Sequence, residues 1–426
     1  MTIKAGIGVR ELLVPNGCML FGHPGFRRAA AGAQDPLLVS ALHLRTGVHG
    51  ALFISLDLYG LEGYQCGRIL DAVSAATSVH RHRIFLGCAH THSGPPTVWS
   101  YAWKDDDLVP GPHSAFLESA TQTIVAAAAE ACATTRPVEL ALTGAPVPFA
   151  GLAAETAALA FREPDGTYAA LLLVCPVPPA LTAPESDLAS ADLAGFLRKR
   201  ILARLNRNMA VIHYSAPSAG WDPPAAPVGD DAFAHARATG EQMADDLLGK
   251  LENAPWTSCD DSAEIVFRHA AGALPFREML APSAAIEKAV AESDPGPMPS
   301  APEERTVWRE HVRRRAHAQA LLTLARHKDS GVFDQIAMVY GAAEACAARI
   351  GDLTLVGLPG NPAPGTVAEL AQTLPGKVCV AAHVGGFTQG DIVSAEQESS
   401  GIFGAMPSPF SCQGIRALCA ALADAT

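Results

Sequence analysis

Short, continuously apolar runs recur along this chain, and Tyr168–Cys175 (YAALLLVC) is the clearest of them. A strand with one wet face alternates apolar and polar positions, so an unbroken run belongs to a strand covered on both faces. Other strand-like segments fall at 50–58 (GALFISLDL), 84–89, 138–143, 209–214, 263–268, 333–339 and 353–358. Helix-like stretches at 64–76, 116–133, 193–205 and 231–251 stand between several of them. This order predicts an α/β fold of mixed sheets flanked by helices, with helices on both faces of the core. No tandem repeat is visible.

The chain has 426 residues, 49% hydrophobic and 17% charged, enough for one large packed unit over 1–426 with sub-lobes at 1–260 and 261–426. A net charge of -12 argues against nucleic acid as a partner, because phosphates demand basic patches. The cysteines show no C-x-x-C spacing, and Cys66, Cys132 and Cys346 lie in apolar helical contexts, as expected in a reducing compartment. The N-terminus carries no basic segment followed by a long apolar core, and no window has the apolar length of a membrane span. A cytoplasmic protein acting on a small molecule, without a membrane partner, is therefore expected; self-association is left open. Proline-rich stretches at 176–187 and 215–230 read as loops, as does 293–304. The charged stretch 306–327 reads as a solvated exterior helix.

One run carries chemistry. Leu86 to Pro95 (LGCAHTHSGP) reads as a buried strand ending in a His-x-His pair and a turn. Alternation along a strand puts His90 and His92 on one face, aimed into one cleft. Neutral imidazole is both a metal ligand and a general base near neutral pH. The bland alternative is a pair of packed histidines.

The order of motifs resembles the neutral ceramidases, zinc hydrolases that cleave the amide of N-acyl sphingosines. Gln34-Asp35-Pro36-Leu37 with Ser40-Ala41-Leu42, Ser55-Leu56-Asp57-Leu58, Ala89-His90-Thr91-His92-Ser93-Gly94-Pro95, Ser190-Ala191-Asp192 with Gly195, and Ile350-Gly351-Asp352 through Leu358-Pro359-Gly360 carry the resemblance in order. It implies a ceramidase-like catalytic domain without the family's C-terminal immunoglobulin-like domain. It also places the family's first zinc ligand on His90. The second histidine falls on Pro178-Pro179, the glutamate on Asn361, and the ligand tyrosine near Asp391. The serine at the family's reacting centre faces Ala219-Gly220-Trp221-Asp222-Pro223, with Ser218 just before it. Proline offers no donor, and a neutral amide cannot balance a dication.

The expected cofactor is none, or a weakly bound Zn2+ on His90 and Asp391. In the leading reading the chain cleaves or forms an amide or ester (acyl) bond of a small soluble metabolite, by hydrolysis, acyl transfer or condensation in a biosynthetic role. His90 and His92 supply acid–base chemistry, oriented by Asp57 or Asp222. Trp221, Asn361 and Ser218 line the substrate site, with Asn361 donating to an oxyanion. His213 and His383, at other strand ends, are candidates for the same cleft. Two alternatives stand beside this one: a non-catalytic binding or assembly protein on the same fold, and a zinc amidohydrolase with remodelled ligands.

Overall fold

Three units of one topology build the chain, a repeat that the sequence does not display. The structure is a computed structural model describing residues 3–47, 49–100, 111–149, 152, 155–221, 231–258, 265–277, 283–400 and 408–424. Each unit runs strand, strand, strand, helix, strand, helix. The first unit comprises Lys4–Glu11, Leu38–Thr46, His49–Leu56, helix Gly63–Thr77, Ile84–Cys88 and helix Ser114–Ala133. The second comprises Glu139–Pro146, Glu155–Arg162, Tyr168–Cys175, helix Leu193–Arg204, Ala210–Ser215 and helix Ala234–Leu251. The third comprises Val266–Ala273, Ala342–Ile350, Leu353–Gly357, short helices Pro364–Val367 and Leu370–Thr373, Lys377–Ala381 and helix Cys412–Asp424.

Pairing is the same in all three: the first three strands are antiparallel neighbours, and the fourth joins the third in parallel across a helical crossover. A parallel pair cannot be closed by a hairpin, which is why a helix stands at that point of each unit.

Strand alternation sorts the side chains. Leu42, Leu44, Ala51 and Phe53 of the first sheet meet Leu159, Phe161, Leu172 and Ile212 of the second and Ala348, Leu355 and Ala381 of the third in one central core. The intervening residues face outward onto helices. Leu52, Ile54 and Leu56 pack against Ile69 and Ile124, and Leu171 and Leu173 against Leu197 and Leu247. Ala345, Ala347 and Val356 pack against Ile415 and Leu418. Helices therefore cover one face of each sheet, not two as expected. The other face is buried against the neighbouring sheets, which explains the continuously apolar runs equally well.

Two further expectations are corrected. Residues 333–339, read as a strand, form the helix Val332–Tyr340. Phe333, Ile336 and Tyr340 are buried while Met338 and Val339 are exposed, a helical period that the apolar composition hid. The helix Pro302–Asp329 is not solvated all round: Ala316, Ala320 and Leu324, four apart, pack into the third unit's outer core. No helix among the described residues is long and apolar enough to cross a membrane.

The carboxyl ends of the three fourth strands are tied together. The Ser215 hydroxyl donates to the Ala89 carbonyl at 2.6 Å. The Ala382 N–H donates to the Ser215 carbonyl at 2.8 Å, and the Cys88 N–H to the His383 carbonyl at 3.2 Å. Gly357 is needed here, because a Cβ would stand 2.5 Å from Val384 and 2.8 Å from Phe85. Gly357→Ala is expected to cost about 1–3 kcal/mol through overpacking. Thermal unfolding checks this, and an unchanged midpoint would contradict it.

Candidate active site

The strand Ile84–Cys88 ends before the His-x-His pair. The backbone turns at His90, which has φ 65°, so the two histidines do not share the face of a strand. They still converge, through the loop: their ring centroids are 5.0 Å apart. His383 follows the third unit's strand Lys377–Ala381 at the position that His90 takes in the first, two residues beyond the strand, and its φ is 58°. Its ring stacks on that of His90, with centroids 3.7 Å apart and planes 11° from parallel. Tyr59 lies 4.0 Å from His90 and 5.3 Å from His92 by ring centroid, and His23 lies 5.2 Å from His92. Phe21 and Phe387 back the Tyr59 ring.

His90 Nδ1 lies 2.7 Å from the Tyr59 carbonyl. A carbonyl can only accept, so Nδ1 carries the proton and Nε2 keeps a lone pair. Burial pushes His90 down to about 4, and the Tyr59 hydrogen bond opposes this only in part. His92 and His383 are pushed well below the usual imidazole range, first by burial and then by neighbouring positive charge. These rings are neutral bases at physiological pH.

The other expected residues divide. Asp391 lies near the ring cluster: its charge helps burial push the Tyr59 phenol upward, and its carboxylate accepts from Asn361 Nδ2 at 2.9 Å. The Asn361 carbonyl oxygen accepts from the Ser218 N–H at 2.9 Å and from its hydroxyl at 3.3 Å. The Asn361 amide is thus held through its oxygen and through one N–H, and its second N–H is not used in these bonds. Trp221 turns toward Phe149, 5.5 Å away by centroid, in the second unit's outer core. Asp222 lies outside the described residues.

Asp57 does not orient either histidine. Both of its oxygens bind Arg198, at 3.2 and 2.8 Å, and one also accepts from the Leu38 N–H. His213 lies beside this ion pair, inside the strand Ala210–Ser215, with both ring nitrogens buried and unpartnered. It takes no part in the ring cluster at His90.

Sequence reasoning missed Tyr59, His23 and Arg28. The buried Arg28 guanidinium donates to the His92 carbonyl at 2.6 Å, the Phe21 carbonyl at 3.2 Å and the Ser93 hydroxyl at 3.2 Å, fixing the loop that carries His92. Gly22, at φ 116°, was the available signal for His23: a Cβ there would lie 2.5 Å from the His92 backbone. Only glycine lets the two loops approach so closely.

Solved structures that share this architecture include two ceramidases. A ceramidase complexed with C2 matches over 100% of this chain and 75% of its own, with TM-score 0.72 and 13% identity. Neutral ceramidase from Pseudomonas aeruginosa matches over 100% of this chain and 74% of its own, with TM-score 0.70 and 13% identity. This chain has the neutral ceramidase fold. No family model and no curated protein matches the sequence.

A ceramidase-like fold raises the question of zinc. Catalytic zinc takes three protein donors converging at about 2.0–2.3 Å in a tetrahedral arrangement. The rings of His90 and His383 are nearly parallel, so their in-plane lone pairs cannot converge on one ion. Where the sequence resemblance puts a second histidine, Pro179 offers only a carbonyl, which accepts the His92 N–H at 3.1 Å. Among the described residues no group of three or more His, Cys, Asp or Glu could hold a metal ion. As placed, the His90–His383 pair and Pro179 do not make a three-donor zinc site.

Proposed function

We propose that this protein is a hydrolase of an amide or ester bond in a small soluble metabolite, working with neutral imidazoles in place of a caged zinc. The observation that carries this reading is the His90 ring: buried, neutral, and fixed by the Tyr59 carbonyl in the tautomer that leaves Nε2 basic. In that reaction Nε2 takes a proton from water as the water oxygen bonds to the acyl carbon. The carbon–nitrogen or carbon–oxygen bond then breaks, and the leaving amine or alcohol receives that proton. His92, half-buried beside His90, is the second acid–base group. Phe21, Tyr59 and Phe387 exclude water from one side.

His90→Asn tests this with the least collateral damage. Asparagine tolerates the left-handed backbone at 90, and its side-chain amide can reach the Tyr59 carbonyl in place of Nδ1. With p-nitrophenyl acetate and N-acetyl amino acid amides as probes, turnover is expected to fall about 10²–10⁴-fold with the fold intact by circular dichroism. A variant as fast as the parent, or a parent inert on every probe, overturns the reading.

A further inference from the structure

We infer that His383 is a second substrate-facing imidazole of this centre, donating a hydrogen bond to the acyl oxygen from Nε2; this rests on the hydrolase reading above. Three observations lead there. The first is position: the first and third units place a histidine two residues past the fourth strand, whereas the second unit has Pro217 at that point. Both histidines therefore stand where the three strand ends are tied together, and their rings stack.

The second is backbone strain. His90 and His383 both have positive φ, 65° and 58°, and neither caps a helix as Ser78 and Asp192 do. Side chains rarely adopt this conformation, and it persists only where surrounding contacts impose it. At His383 these are its N–H to the Gly360 carbonyl at 2.7 Å and its carbonyl accepting from Cys88. A histidine placed for packing alone gains nothing from such a backbone.

The third is the state of the ring nitrogens. His383 Nδ1 is sealed from solvent without a partner. An orphaned buried donor is rarer than an orphaned acceptor, so Nδ1 carries the lone pair and the proton sits on Nε2. Nε2 is not among the sealed unpartnered atoms. His90 has the opposite tautomer. The stacked pair thus presents one basic Nε2 and one Nε2–H, an acceptor for water beside a donor for the acyl oxygen. A neutral imidazole suits the second task, since it stabilises developing negative charge without first binding a proton.

The test uses His383→Asn, which keeps an amide near Nδ1 and tolerates the backbone, and His383→Gly, which relieves it. Removing an oxyanion donor is expected to lower kcat about 10²–10³-fold on the same ester and amide probes, with KM little changed. The asparagine variant should unfold at about the parental temperature and the glycine variant on the order of 1–3 °C higher, because only glycine removes both the backbone strain and the unpaired polar atom. Parental kcat in either variant overturns the inference while leaving the His90 reading intact. Should the parent turn over no probe, the hydrolase reading fails, and the unfolding temperature alone decides. A rise keeps His383 as a residue held against stability, and a fall in both variants makes it a packing residue.

Discussion

Arg198→Met is expected to cost the fold about 3–5 kcal/mol, the loss typical of a buried ion pair broken on one side. Arg198 sits on the second unit's first helix, and Asp57 follows the first unit's third strand, so the pair bolts two units together. Their side chains are only 7% and 3% exposed, which leaves little water to receive the stranded charge. Without the guanidinium, the Asp57 carboxylate keeps a single N–H donor, from Leu38. The loss would be a large fraction of a typical stability of about 5–15 kcal/mol. Urea unfolding measures it. The double variant Asp57→Leu with Arg198→Met should recover much of the loss, because an apolar pair leaves no charge stranded. A single variant within about 1 kcal/mol of the parent would show that the pair is not a structural tie.

Acid is the second large lever. An unfolded histidine titrates near 6.5, whereas burial pushes His43, His90 and His213 down to about 4 and His23, His92 and His383 well below their usual range. Between pH 6.5 and 4 the unfolded chain binds protons that the folded chain refuses, so stability falls as pH falls. Each such group removes up to about 1.4 kcal/mol per pH unit. Three buried carboxyl groups act in the opposite direction. Burial raises Asp35 to about 6, Glu62 to about 7 and Asp192 above its usual value, so these bind protons earlier in the folded chain. His269 is also lowered by burial, so seven imidazoles against three raised carboxyls leave a net loss, and cooperative unfolding is expected between pH 6.5 and 4. Circular dichroism against pH follows it directly. His213→Leu, outside the ring cluster and with two orphaned nitrogens removed, should move the midpoint to lower pH. Flat stability across that window would contradict the account.

The local signals in the sequence were mostly sound because they report burial. Tyr168–Cys175 is a strand over the residues its apolar run spans, and the helix expected at 116–133 runs Ser114–Ala133. What burial cannot report is which surface does the covering. An apolar run looks the same beneath two helical layers as between a helix and another sheet, so three sheets were read as one core. The repeat was hidden for a related reason. Each unit needs only apolar strands in a fixed order, and the third inserts residues 274–341 between its first two strands.

The ring cluster was legible where it rests on residue identity and obscure where it rests on the backbone. His90, His92 and Asp391 could be named from the chain. Tyr59 contributes through its carbonyl as well as its ring, and a carbonyl leaves no mark in a sequence. Asp57 looked like an orienting acid because it follows a strand near the histidines. Its true partner, Arg198, lies on a helix of another unit.

The most direct measurement combines metal counting with turnover on one sample. The protein is stripped with a strong chelator, its metal content is read by mass spectrometry, and hydrolysis of p-nitrophenyl acetate and an N-acetyl amino acid amide is followed. The account predicts parental rates at far less than one zinc per chain. Activity that vanishes on stripping and returns with one equivalent of zinc would contradict it.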